Sequence, residues 1–277
     1  NTSAQIPYTQ QKVEWFEGYR NALDVKINFN QLVLQMASFE DLQRRERERL
    51  QSFDYNSIAL MAVKQVLGIM LPDITNLRTK IDKQIILIAD FNDGKTTKTL
   101  NISQLSAGYQ ALLAVVLDIT FRLIILNREH SDCLEGEGIV MIDEIDLHLH
   151  PKWQQQFISK LQQAFINIQF IVTTHSPQVL STVKKSAIRV LGHNSKGEDI
   201  ASMPLANSYG EPSNDVLQAI MAVDPQPPVP EKADLQRLTA LVDQGYYANT
   251  EALDLLNQLK QQLSPQHPQI ARIDSYI

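Results

Sequence analysis

Residues 138 to 175 restrict the possible folds more than any other stretch. "GIVMID" is a short apolar run bounded by Gly138, which suits a strand buried on both faces. "PKWQQQFISKLQQAFI" has the pattern of an amphipathic helix. Pro151 belongs in its first turn, and Trp153, Phe157, Leu161 and Phe165 fall on one face. "IQFIVTT" is a second apolar run and reads as another buried strand. Strand, helix, strand in so short a span argues a parallel sheet, so the fold class is α/β. "SAIRVLG", residues 186–192, reads as a third strand.

Around this unit the pattern changes twice. Residues 12 to 80 read mostly as helix. "FEDLQRRERERLQSF" interleaves acids with bases, as a solvated helix laced with i,i+4 pairs does; Glu46 and Glu48 offset the basic charge that a phosphate-contacting arm needs. "SIALMAVKQVLGIMLP" is a more apolar helix that ends at Pro72. Residues 107 to 127 form a long apolar helix. Beyond about residue 204 the chain turns loop-like. "DPQPPVP" is a stiff connector, and "NTEALDLLNQLKQQL" is a helix capped by Asn249 or Thr250. The expected division is a helical lead-in over 1–83, a core over 84–205 and a helical C-terminal tail over 206–277.

"ADFNDGKTT", residues 89–97, ends in the last letters of a phosphate-binding P-loop. The full pattern G-x-x-x-x-G-K-[ST] needs glycine where Ala89 stands, and a helix immediately afterwards. Here "QIILIADF" precedes it and "TKTLNIS" follows with period two, so both flanks read as strands. Asn92-Asp93-Gly94 then forms a tight turn, and Lys95 and Thr96 are turn-exit residues. No other stretch of the 277 residues matches the P-loop pattern.

Bulk properties narrow the class. A hydrophobic content of 44% in 277 residues supports a sizeable core. The net charge of -6 argues against an overall basic field for nucleic acid. One cysteine, Cys133, cannot build a disulfide framework and suits a reducing cytoplasm. "ALLAVVLDITFRLIIL" is the best candidate for a membrane span, but Asp118 and Arg122 interrupt it, so no membrane role is expected.

Three segments carry chemistry. "GIVMIDE" ends an apolar strand in Asp143 and Glu144, and ligands of open parallel sheets bind beyond the carboxyl ends of strands. Asp143 suits magnesium, usually through its water, and Glu144 suits polarising an attacking water. "IVTTHSPQ" ends a second strand in His175, which could donate to developing phosphate charge. "LSAGYQ" opens the long helix, where Ser106 and Gly108 suit phosphate at a helix N-terminus. Each alone has a plain structural explanation: a strand end, a core histidine, a serine cap.

In this order the segments resemble the ABC class of P-loop ATPases over about residues 100 to 195. "LSAGYQ" looks like the signature motif, "GIVMIDE" like Walker B, "DLHLHP" like the loop after it and "TTHS" like the switch-histidine loop. "IDEIDLHLHPKWQ" is closer to the RecF, SMC and OLD-nuclease branch than to transporters. The resemblance implies an ATPase head with a parallel-sheet core, a helical subdomain and a helical tail, using ATP and Mg2+. It implies Glu144 as catalytic base, His175 on the γ-phosphate and Asp143 assisting Mg2+. Ser106 and Gly108 would meet nucleotide held by a second subunit, in a head-to-head dimer.

The missing Walker A motif is a departure from this family. It implies a first nucleotide-binding segment outside these residues, in keeping with the non-Met start. Gln10 and Gln11 are the candidates for the Q-loop. The layout is similar to the ATPase of Septu-type antiphage systems, including retron-attached ones. That similarity implies a partner HNH nuclease, and nucleic acid or a reverse transcriptase–DNA complex as a further partner. The alternatives are an inactive ATPase-like scaffold, a DNA-repair or SMC-like head, and a metal-dependent hydrolase. The hydrolase would use Asp143, Asp146, His148, His150 and His175, with the alternating His148 and His150 on one face of a strand.

Overall fold

A computed structural model describes residues 18–24, 27–128 and 130–275. The Q-loop candidates Gln10 and Gln11 lie outside the described residues, as does the start of "WFEGYRNAL". The chain divides into two compact units, Asn1–Ser213 and Asn214–Ile277.

The first unit begins with two helices, α1 (Phe29–Leu50) and α2 (Ile58–Met70). Asn28 and Ser57 cap them through their side-chain oxygens. The charged half of α1 is laced as its sequence suggests, with Asp41 paired to Arg44 and Arg45 and Glu46 paired to Arg49.

The next element departs from the helical expectation. Residues Ile74–Asp82 form a strand, β1, which pairs antiparallel with β2 (Gln84–Asn92); β2 in turn pairs with β3 (Thr97–Asn101). The β2–β3 turn resolves the P-loop ambiguity. Gly94 has φ +85, the Asn92 side chain accepts from the Gly94 N–H, and Asp93 accepts from the N–H groups of Lys95 and Thr96. The bonds close a hairpin, and strand follows where a P-loop needs a helix.

Helix α3 (Ala107–Leu126) is the spine of the unit. Leu113, Val116, Leu117 and Phe121 are buried against residues of α1, α2 and the antiparallel sheet. By length and composition α3 could cross a bilayer, but over half of it is buried inside the protein. Asp118 and Arg122 pair at 2.8 Å on its partly exposed side, and Arg122 also donates to the Gly18 carbonyl at 2.9 Å. Packing in the core accounts for the apolar run.

Strand β4 (Gly138–Ile142), α4 (Pro151–Ala164) and β5 (Ile168–Val172) form the expected crossover, and β4 pairs parallel with β5 from Gly138↔Ile168 to Ile142↔Val172. Pro151 is the first residue of α4, and Phe157 and Leu161 are buried. The expectation that both strands are covered on both faces is not met. Val140, Ile142, Phe170 and Val172 pack toward the core, whereas Ile139, Met141 and Ile171 are 65%, 76% and 47% exposed.

A short helix α5 (Pro177–Leu180) follows, and then β6 (Val190–His193) pairs antiparallel with β7 (Asp199–Ser202). The third strand foreseen over 186–192 is therefore the first arm of a separate, largely exposed hairpin. Asn194 drives the reversal, since its side chain accepts from the N–H groups of Lys196 and Glu198.

Helix α6 (Ser213–Ala219) begins at the boundary residue. The second unit continues with α7 (Lys232–Asp243), α8 (Thr250–Leu263) and α9 (Pro268–Asp274). Leu238, Leu256, Leu259 and Ile270 form its core. Asn249 caps α8 by accepting from the Glu251 N–H. Leu253, by contrast, is partly exposed.

Candidate functional site

The residues singled out in the sequence gather around one loop, 143–150, in the first unit. It leaves β4 at its carboxyl end, as parallel-sheet sites do. Its other end is the N-terminus of α4, where the His150 side chain accepts from the Lys152 N–H.

Thr173, the first residue beyond β5, holds the start of the loop. Its N–H donates to the Ile142 carbonyl at 3.0 Å, and its own carbonyl accepts from the Ile145 N–H at 3.0 Å. Its hydroxyl donates to Asp143 Oδ1 and accepts from the Glu144 N–H at 2.8 Å. Glu144 has φ 49, in the left-handed region that residues with a Cβ seldom adopt.

Thr174 repeats the arrangement one step on. Its hydroxyl donates to Asp146 Oδ1 and accepts from the Ser176 N–H at 3.0 Å. Asp146 Oδ1 also accepts from the His175 N–H at 3.3 Å. Gln154 of α4 closes the back, donating to the carbonyls of Asp146 and Leu149 and accepting from the Ser176 hydroxyl. Asp143, Glu144 and His175 are exposed residues on the two strand ends that these bonds tie together.

The far end of the same loop meets the turn before α3. Ser106 caps α3, accepting from the Tyr109 N–H at 3.5 Å, and Gln110 braces the approach by donating to the Leu105 carbonyl at 2.7 Å. Gly108 lies against His148, whose φ is 62: a Cβ on Gly108 would stand 2.5 Å from the His148 carbonyl oxygen. A small cleft of about 90 Å³ opens here, lined by Ser106, Gly108, His148, His150 and Trp153 among others.

An aromatic cluster fixes this corner. Tyr109 packs edge-on against Phe91 and Trp153, with ring centroids 5.5 and 5.3 Å apart, and donates to Asp73 at 3.0 Å. Burial, helped by the neighbouring Asp73, pushes the Tyr109 phenol up to about 12. Lys160 sits 5.3 Å from the Trp153 ring and donates to the Met70 carbonyl; burial lowers its pKa. Sequence reading did not single out Thr173, Thr174, Tyr109 or Asp73. The "TT" before His175 was the available signal, since hydroxyls at a strand end often bond across to a neighbouring loop.

Metal fit is specific. Among the described residues no three His, Cys, Asp or Glu side chains converge as ligands. His148 lies on a turn and His150 is the N-cap of α4, so the two do not share one face of a strand and the metal-hydrolase alternative loses its geometry. Magnesium asks for less: one or two carboxylates, with water and phosphate oxygens completing its shell. The exposed Asp143 carboxylate at the strand end fits that requirement.

The class comes from the family match: an AAA-family ATPase domain. The chain belongs to the family described as "AAA domain, putative AbiEii toxin, Type IV TA system", whose model matches residues 18–181, more than half of the chain. All three chemical segments fall inside that match. The expected kinship with P-loop ATPases and the mixed α/β fold with its parallel strand pair both hold.

The chain is 38% identical over 221 residues to the Retron Ec83 probable ATPase of Escherichia coli, covering 79% of this chain and 39% of that protein. It is 31% identical over 268 residues to the Retron Vc95 probable ATPase of Vibrio cholerae serotype O1 biovar El Tor, covering 83% and 51%. A Septu protein PtuA of Bacillus mycoides is 39% identical over 109 residues, covering 39% and 15%. The chain thus spans about half or less of the length of the curated relatives it matches. A solved chain from work on ATP-driven dimerization of SMC ATPases aligns with a TM-score of 0.40 and 15% identity, covering 59% of this chain and 91% of that one.

Proposed function

We propose that this chain is part of an ATP-binding and ATP-hydrolysing switch subunit of an antiphage defence complex, dimeric when active, cytoplasmic, and controlling a partner HNH nuclease. The observation that carries the reading is the loop 143–150. One end is bonded to the switch-histidine segment and the other touches Gly108 of the signature segment. A nucleotide-dependent switch needs such a connection between its hydrolytic acids and its dimer-facing turn. The names of the retron and Septu relatives support the defence setting.

Within that reading, Asp143 holds Mg2+ through its water, and Glu144 orients and polarises the attacking water. Mg2+, when bound, would offset negative charge on the phosphates. His175 donates to the γ-phosphate oxygens. Ser106 and Gly108 face nucleotide held by a second copy, where the amide N–H groups at the start of α3 favour an anion.

A Walker A segment outside these 277 residues completes the site. The exposure of Ile139, Met141 and Ile171 supports this, because among the described residues that apolar face of the parallel pair lacks a layer that such sheets ordinarily have. The second reading, an ATPase-like scaffold, draws on the missing P-loop pattern alone.

ATP hydrolysis by the full-length gene product, measured beside Glu144→Gln, tests the function. The parent is expected to turn over ATP. The variant is expected to lose on the order of 10²–10⁴-fold in turnover and to accumulate as an ATP-bound dimer in light scattering. A parent that neither binds nor hydrolyses ATP favours the scaffold.

A further inference from the structure

Thr173 is assigned no part in the chemistry above, yet it makes four hydrogen bonds to residues 142–145. Two are through its backbone, to Ile142 and Ile145, and any residue could supply them. The other two are specific to a hydroxyl. One oxygen donates its proton to Asp143 Oδ1 and accepts the Glu144 N–H at 2.8 Å. This uses the hydroxyl as donor and acceptor together, which valine cannot do and serine can.

The two contacts act on different properties of the acids. The bond to Asp143 fixes the rotation of its carboxylate and engages Oδ1. The bond from Glu144 secures a backbone at φ 49, so the direction in which the Glu144 side chain leaves the chain depends on it. Asp143 and Glu144 are adjacent in sequence, and this one side chain on the neighbouring strand end touches both residues.

We propose that Thr173 is a positioning residue of the hydrolytic site, setting the carboxylate of Asp143 for metal and the backbone of Glu144 for water through one hydroxyl. The inference rests on the ATPase reading for its catalytic meaning. Its structural content stands apart from that reading and is tested separately.

The experiment compares parent, Thr173→Ser and Thr173→Val in the full-length protein. Amide exchange at Glu144, followed by NMR without nucleotide or metal, reads the clasp itself. Valine is expected to speed exchange by on the order of tenfold, and serine to leave it near the parent. ATP turnover against Mg2+ concentration reads positioning. Valine is expected to lower turnover on the order of 10–100-fold and to raise the Mg2+ concentration needed, with serine restoring both.

A folded Thr173→Val with parental exchange, or with parental turnover and Mg2+ dependence, overturns the proposal. So does a serine variant as impaired as valine. If valine fails to fold, Thr173→Ala is read in its place. If the parent does not hydrolyse ATP, the proposed function fails and the catalytic role with it. The exchange result then still decides whether Thr173 holds the loop.

Discussion

Gly108 and His148 are forty residues apart in sequence and in contact in space: a Cβ on Gly108 would meet the His148 carbonyl oxygen at 2.5 Å. Backbone cannot swing aside as a flexible side chain can. Gly108→Ala must therefore displace either the start of α3 or the loop that carries Asp143 and Glu144. Overpacking of this kind costs about 1–3 kcal/mol. Thermal unfolding of the nucleotide-free protein should drop by several degrees, roughly 2–4 °C per kcal/mol for a chain of this size. Because no nucleotide is present, this measures the steric contact apart from any role of Gly108 toward phosphate. An unchanged melting temperature would show that the contact is loose.

The Gly94-Lys95-Thr96 triplet gives a second prediction. In a P-loop its lysine is indispensable for phosphate binding. Here Lys95 is an exposed turn residue, with its N–H bonded to Asp93. Lys95→Ala should leave ATP affinity within about twofold, a change of under 1 kcal/mol. Gly94→Ala should instead lower stability by roughly 1 kcal/mol, because φ +85 is costly for any residue with a Cβ. Fluorescent-nucleotide titration and urea denaturation measure the two effects. A large loss of ATP binding in the lysine variant would return the nucleotide to this hairpin.

The antiparallel sheet carries an acid whose titration is displaced. Asp90 accepts from the Thr99 hydroxyl at 2.6 Å, from Asn76 at 2.8 Å and from Arg78 at 3.3 Å, and these bonds hold its carboxyl down at about 2. The folded value lies below that of an unfolded aspartate, about 3.9. The stabilisation is therefore fully present above about pH 4 and is lost as pH falls toward 2. Asp90→Asn removes the ionisable group. The gap in urea midpoint between parent and variant should narrow between about pH 4 and 2. A gap that stays constant across that window would show that these bonds do not favour the ionised form.

How much of this was visible beforehand depended on the range of the interactions. The β4–α4–β5 crossover was legible because Pro151, the spacing of Phe157 and Leu161, and the two apolar runs are local signals. β1 was not legible. Its register shifts between Thr75 and Arg78, and Asn76 takes φ 51 there, so "ITNLRTKID" lacks the clean alternation that announces a strand. Asp143, Glu144, His175, Ser106 and Gly108 could be picked out as types and in order. The clasp on Asp143 and Glu144 could not, since Thr173 lies 30 residues from Asp143 and meets it only through the parallel register. Apolar strands also do not tell which faces have a covering layer, so Ile139 and Met141 were wrongly expected to be enclosed.

That uncovered face supplies the last prediction. Ile139 and Met141 alternate along β4 and lie beside Gln169 and Ile171 of β5, so their side chains share one surface. With Met141 76% exposed, Met141→Gln in the 277-residue chain should change stability by no more than about 0.5 kcal/mol, as exposed substitutions do. If a segment of the longer protein covers this face, the same substitution there removes buried apolar surface and leaves a polar amide against it. The loss should then be about 1–3 kcal/mol. Urea midpoints of parent and variant, measured for both lengths of chain, separate the cases. Equally small effects in the two would mean that nothing in the longer chain packs on β4, and would remove the support this face gives to the proposed Walker A segment.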